Sequence, residues 1–294
     1  MLKYESIQEL VTEAERREMR ISELVMKDQA EAMERSELEI YEKMEVDFQV
    51  MVASVEAGQR KEQRSMSGLT GGEGWKMKTY AEAGGSLCGS FLAGAISRAL
   101  AVAGCNASMG RIVAAPTAGS CGILPGCLVS LWEEKRCPEK EIIRSMFTAG
   151  AFGMVIAKRA SIAGAQGGCQ AECGSAAAMA AAALVELMGG TPAQCADACA
   201  IAIANQLGLV CDPVAGLVEI PCIKRNVSGL VIAFSSADLA LAGIGARIPA
   251  DECLDAMRNV GDAMPEAVKE TAMGGLASTP TGRRLQKQVF GDQP

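Results

Sequence analysis

Residues 164–190 read GAQGGCQAECGSAAAMAAAALVELMGG, and this stretch decides the fold. From Ala176 to Met188 the residues are mostly small or straight-chain helix formers, and the run stops at Gly189-Gly190, where a left-handed residue closes a helix. Working outward, Thr191-Pro192 caps a second helix that carries Cys195 and Cys199 and stops at Gly208. Upstream, Pro138 followed by Glu139 and Glu141 opens a helix that runs towards Arg159 and fails at Gly164, as a first-turn proline and early carboxylates predict. Further helices are expected over Leu230 to Ile244 and from Asp251 to about Asn259. Alternating polar and apolar strand patterns are scarce, so the expected fold class is all-α.

Composition agrees with closely packed helices. Of 294 residues only two are Trp, three Tyr and six Phe, against 32 Gly, 16 Met and 12 Cys, so the interior is filled by small and flexible side chains. The apolar stretches are interrupted by Arg98, Glu186, Asp197 and Asp238 before about 20 residues accumulate, and read as buried helices of a protein with no membrane partner. Composition changes near residue 65: residues 1–64 hold 26 of the 63 charged residues. There Ile7, Leu10, Val11, Ile21, Leu24 and Val25 form apolar stripes on charged helices. The expected organisation is a charged helical arm over 1–64, packing on the rest of the subunit or on a partner, followed by an all-α catalytic domain over 65–294.

A net charge of −7 leaves no electrostatic footprint for nucleic acid or an anionic membrane. The start, MLKYESIQELVTEAERRE, is charged from residue 3 and has no apolar signal region, so a reducing, cytoplasmic location is expected. There, cysteines that are not core filler are more often metal ligands or catalytic groups than disulfides. The chain has no histidine. That removes Ser-His-Asp and Cys-His hydrolases and His-based metalloenzymes, and leaves sulfur and carboxylate to hold any metal.

Cys169, Cys211 and Cys222 fall where loops are expected. Ligands of a cluster must converge from different backbone segments, and glycine lets main chain approach closely. Cys169 also precedes a helix N-terminus, which favours thiolate. By contrast Cys88, Cys105, Cys195, Cys199 and Cys253 lie inside or beside expected helices, where free cysteine behaves as a small hydrophobe. Cys173, Cys121, Cys127 and Cys137 stand in or near loops and remain open, because no C-x-x-C pair singles out a set. Two further loops suit a small carboxylate. SGLTGGEGWKM (67–77) offers Ser67, Thr70, Gly71, Gly72 and Lys76, and APTAGSCGILPG (115–126) offers Thr117, Ser120 and three glycines. Neither fits a P-loop or a dinucleotide fingerprint, and tight turns between helices would have the same composition.

In order, SGLTGGEGWKM, NASMGRIVAAPTAGSCGILPG, GAQGGCQAECGSAAAMAAA and GLVCDPVAGLVEIPCIKRN resemble the alpha chain of the two-subunit bacterial iron-sulfur L-serine dehydratases. The likeness runs from about residue 65 to the GGLASTPTGRR tail. It implies an all-helical catalytic domain that holds a 4Fe-4S cluster through Cys169, Cys211 and Cys222 and leaves one iron open for L-serine. It also implies a separate beta chain as partner. Single-chain relatives end in a cysteine able to reach the open iron, whereas here the last cysteine is Cys253 and the tail reads VFGDQP, so no such plug is carried over.

That chemistry fits the inventory. Hydroxide is a poor leaving group, water having a pKa of about 15.7, and a Lewis acid at the serine hydroxyl eases its departure. Without histidine, Lys76 is the first candidate base, since a partly buried lysine can lose its proton near neutral pH, and it could equally be a fixed cation for the substrate carboxylate. Ser67, Thr70, Gly71, Gly72 and Thr117 are the expected substrate contacts. Pyridoxal phosphate, the rival cofactor, needs a Schiff-base lysine and a phosphate loop on an α/β scaffold, and neither is seen. Two other readings stay open: a cysteine desulfidase-type lyase on a related cluster, and a non-catalytic iron-sulfur sensor or electron carrier.

Overall fold

The computed structural model of the chain describes residues 3–291, and the last residues of the tail, Asp292 to Pro294, on which the expected lack of a plug partly rests, lie outside them. Among the described residues the helices are α1 (Ile7–Arg16), α2 (Ile21–Met33), α3 (Glu37–Gly58), α4 (Glu73–Glu82), α5 (Gly89–Ala107), α6 (Ile123–Glu134), α7 (Glu139–Arg159), α8 (Gly164–Gly167), α9 (Ser175–Leu187), α10 (Pro192–Ala204), α11 (Cys222–Leu241), α12 (Ala250–Ala263) and α13 (Pro280–Phe290). The same residues form no strand, and the fold is all-α. The one extended pairing among them is an isolated parallel bridge between Cys211 and Lys269.

The centre is α9, in which every residue from Ser175 to Glu186 is buried. Its seven alanines bring no bulk to any face, so α6, α7, α10 and α11 all pack directly against it. The start of α10 is fixed as its sequence predicts: Thr191 Oγ1 accepts from the Gln194 amide at 3.2 Å and the Gln194 side chain accepts from the Thr191 amide at 3.0 Å. Pro138 serves as the N-cap of α7 rather than as its first helical residue.

The apolar stripes of the charged N-terminal segment face inward. Ile7, Leu10, Val11, Ile21, Leu24 and Val25 are all at most 4% exposed and belong to the same hydrophobic core as α9. α5 is the one described helix long and apolar enough to cross a membrane, and 67% of its apolar window is buried inside the molecule. Its Arg98 is buried and ion-paired with Glu133 at 2.5 Å and Glu134 at 2.6 Å.

One helix departs from expectation in a way that matters for the site. α11 begins at Cys222, directly after Pro221, eight residues before the expected Leu230. Its first two turns carry Lys224, Arg225, Asn226 and Ser228, so they lack the apolar run that marks the rest of the helix. Of those polar residues, Arg225 and Asn226 hold loops, as described next.

Candidate functional site

Three backbone segments meet beyond the N-terminal end of α9. Cys169 follows α8 and Gly168, and a π-helical turn over Gln170–Gly174 carries the chain from it into α9. Gly168 has φ +74°, and a Cβ there would meet Met264 Sδ at 2.7 Å and the Leu209 carbonyl at 2.9 Å, so the chain passes with no side chain to spare. Gln170 then ties this turn to the Cys211 segment. Its amide donates to Leu209 O at 2.9 Å, its side-chain carbonyl accepts from Gly208 N at 2.9 Å, and its Nε2 donates to Met257 O at 2.8 Å. Cys211 is held in extended backbone, its amide donating to Val268 O and its carbonyl accepting from Glu270 N, both at 2.8 Å.

Cys222 is the first residue of α11 and not a loop residue as its flanking proline suggested. The helix it opens also anchors a fourth segment, the loop before α6. Asn226 Oδ1 accepts from Gly122 N at 2.8 Å, and its Nδ2 donates to Gly119 O at 2.8 Å and to Cys222 O at 3.0 Å. The APTAGSCG loop is thereby fixed beside the cysteines.

The three thiols are buried, at 2% exposure for Cys169, 2% for Cys211 and 7% for Cys222. Each lies within electrostatic reach of the others. Burial pushes the Cys222 thiol up to about 12, with the neighbouring Cys169 adding to the rise and Arg225 opposing it. Burial likewise raises Cys211, and Cys169, Glu172 and Cys222 add to it. Cys169 moves the other way. A hydrogen bond with Cys173, whose Sγ is 3.4 Å away, and the Arg225 charge hold it below the ordinary thiol range despite its burial.

Arg225 is the cation of this pocket. It pairs with Asp212, next to Cys211, at 2.8 Å, and its Nη1 donates to Val210 O at 2.8 Å. Asp212 in turn accepts from Leu276 N at 2.7 Å, which draws the GGLAS segment over the site. Glu172, on the π-helical turn, is the facing carboxylate. Thr117 Oγ1 donates to its Oε1 at 2.7 Å, while its Oε2 lies 4.0 Å from Cys211 Sγ. Burial raises the Glu172 pKa, and the Thr117 hydrogen bond opposes the rise. A Cβ at Gly164 would stand 2.8 Å from Glu172 Oε2 and 3.1 Å from Cys211 Sγ, and one at Gly119 would stand 3.1 Å from Glu172 Oε1. Glycine at both positions keeps the cradle open.

Ser67 and Thr70 meet on a different acid. Both hydroxyls donate to Glu219 Oε2, at 2.8 and 2.9 Å. Glu219, three residues before Cys222, is 6% exposed, so it fastens the SGLTGG loop to the start of α11. Gly71 and Gly72 are buried, and the Gly72 amide donates to Gln63 Oε1 at 3.0 Å. Lys76 stands exposed on α4 rather than partly buried.

Sequence reading passed over Glu172, Glu219 and Arg225. A signal was present, since each is within three residues of a loop-associated cysteine. Among the described residues no three cysteine or carboxylate groups are set at the spacing one metal ion needs.

A sequence model of the family described as "Serine dehydratase alpha chain" matches residues 16–277. The chain is 49% identical over 288 residues to the probable L-serine dehydratase, alpha chain, of Bacillus subtilis, spanning 98% of this chain and 96% of that protein. It is 45% identical over 282 residues to the L-serine dehydratase, alpha chain, of Peptoniphilus asaccharolyticus, spanning 96% and 97%. An L-serine dehydratase of Escherichia coli is 47% identical over 182 residues, which make up 61% of this chain and 40% of that protein. With likeness along nearly its whole length and every residue of the thiol pocket inside the matched span, the chain belongs to the serine dehydratase alpha chain family.

Proposed function

We propose that this chain is the catalytic alpha subunit of an L-serine dehydratase, a lyase that converts L-serine to pyruvate and ammonia. Cys169, Cys211 and Cys222 would hold a 4Fe-4S cluster. The observation that carries the reading is the convergence of three buried thiols from three segments onto a pocket that also presents Arg225 and Glu172. The residues fit such a group: ligating thiols must lose their protons, and Arg225 offsets the negative charge that would gather there. Bound in this pocket, the cluster would supply Lewis acidity to the departing hydroxyl of the substrate.

The rest of the work falls to side chains. Thr117 fixes Glu172 so that Oε2 faces the Cys211 side of the pocket, where it can orient the amino or hydroxyl group of serine. The loop of Ser67, Thr70, Gly71 and Gly72 supplies the carboxylate contacts once the Ser67 and Thr70 hydroxyls turn from Glu219, which otherwise holds that loop to the start of α11. Lys76, exposed beside the loop, acts as a cation for the substrate carboxylate and not as the base. Elimination of water gives aminoacrylate, which tautomerises to the imine and hydrolyses in water. Pyridoxal phosphate has no role in this scheme.

A beta chain would complete the enzyme in the cytoplasm. The Escherichia coli relative is matched over 40% of its length, and a separate chain is the natural source of what the remainder supplies. Anaerobic reconstitution with iron and sulfide, with and without the beta chain, tests the reading by electron paramagnetic resonance and pyruvate release. A signal that changes on adding serine and disappears in Cys169→Ala, Cys211→Ala and Cys222→Ala is expected. Pyruvate from cysteine in place of serine would reassign the chain to desulfidation, and a cluster indifferent to both would make it a sensor or carrier.

A further inference from the structure

Cys173 has no part in the scheme above, yet it is buried to 1% exposure with its Sγ 3.4 Å from that of Cys169. The two residues lie four apart, across the π-helical turn of Gln170–Gly174. Residues four apart on a helical turn lie on one face, within the Cα separation that a disulfide spans. Closing the bond requires the sulfurs to approach to about 2.05 Å, a movement that side-chain rotation can supply. Cys211 and Cys222, on other segments, have no sulfur contact of this kind among the described residues.

We propose that Cys169 and Cys173 form a reversible disulfide that takes Cys169 out of the ligand set when iron is lost under oxidising conditions. This rests on the reading of Cys169 as a ligand. While Cys169 binds iron its sulfur is not free to react. Once iron leaves, its nearest oxidisable partner is already in contact. With hydrogen peroxide as oxidant the step balances: the two S–H bonds and the O–O bond break, an S–S bond forms, the thiols give up two electrons and two protons, and two waters are released. A dithiol reductant reverses it by exchange. The oxidised chain cannot be reloaded until it is reduced, and oxidation is diverted from the irreversible sulfinic and sulfonic acids.

A glutamate-specific protease provides the test, because cleavage after Glu172 places Cys169 and Cys173 on different peptides that only a disulfide can hold together. Purified full-length chain, reconstituted and then stripped with a chelator, is treated with hydrogen peroxide, blocked with iodoacetamide in denaturant, digested and analysed by mass spectrometry. The expected product is the linked Cys169–Cys173 peptide pair, lost on prior reduction. Both peptides fully alkylated, or Cys169 linked to Cys211 or Cys222, would overturn the proposal. In parallel, peroxide-treated wild type should recover uptake of iron and sulfide fully after reduction, whereas Cys173→Ser, with no partner to divert the oxidation of Cys169, should recover it only in part; equal and full recovery in both also overturns it. If the chain takes up no iron even before oxidation, the cluster reading fails while the peptide linkage still reports on the disulfide.

Discussion

Two groups of buried cysteines share this fold and differ in what surrounds them. Cys195 and Cys199, at 1% and 0% exposure, lie on one face of α10, and burial raises both thiols. Cys169, Cys211 and Cys222 are about as buried, but they start or end their segments; Arg225 acts as a neighbouring cation on Cys169 and Cys222 and pairs with Asp212 next to Cys211. No cation lies among the groups that shift Cys195 or Cys199. Burial alone therefore does not mark a ligand. What sets the proposed ligands apart is convergence of separate segments near a compensating charge, because three thiolates in one buried space repel each other unless something offsets them.

The strongest way to break this contrast is to exchange the roles of the two groups. Serine at 169, 211 or 222 should each abolish the iron-sulfur absorbance of reconstituted protein and lower pyruvate formation by more than about 100-fold. Cys199→Ala should keep full iron content and cost about 1 kcal/mol in denaturant unfolding, as loss of a small buried group does. A cluster lost in Cys199→Ala and kept in Cys211→Ser would reverse the distinction.

Next in size is the compensating charge. Arg225→Gln should weaken iron retention about 10-fold or more during anaerobic gel filtration, and Arg225→Lys should recover part of it, since lysine keeps the charge but loses the fork that reaches both Asp212 and Val210 O.

A smaller effect sits beside Cys195. Glu186, 5% exposed, accepts from Ser22 N at 3.1 Å, and burial raises its pKa against the opposing influence of Ser22, Thr148 and Arg20. A carboxyl whose folded pKa lies above its unfolded value of about 4.3 contributes stability that is complete below that value and lost as pH rises through the folded pKa. Glu186→Gln should therefore melt with a shallower decline than wild type as pH rises through that window, and parallel curves would show that Glu186 adds nothing. The smallest effect belongs to exposed Lys76. Lys76→Ala should change unfolding free energy by less than about 0.5 kcal/mol and raise KM for serine with little change in kcat. A collapse of kcat with KM unchanged would restore Lys76 as the base.

Most helices were legible because their signals are local. The Thr191 capping box, the early carboxylates of α7 and the glycine pair after α9 act within one or two turns of the residues they control. The start of α11 was hidden because Arg225 and Asn226 are polar for the sake of loops distant in sequence. Val210 and Asp212 lie more than ten residues before Arg225, and Gly119 and Gly122 more than a hundred before Asn226. Glu219 escaped notice for the same reason, its partners Ser67 and Thr70 lying 152 and 149 residues away.

The sequence by itself determined the helical class, through small residues and caps whose energetics are short-range, and the lack of histidine narrowed the chemistry to sulfur and carboxylate. Only the tertiary structure decided which cysteines meet, that the Ser67 and Thr70 hydroxyls converge on Glu219, and that Lys76 faces water. Burial and Coulomb interactions depend on distance in space, and packing around α9 brings residues far apart in the chain within a few ångströms.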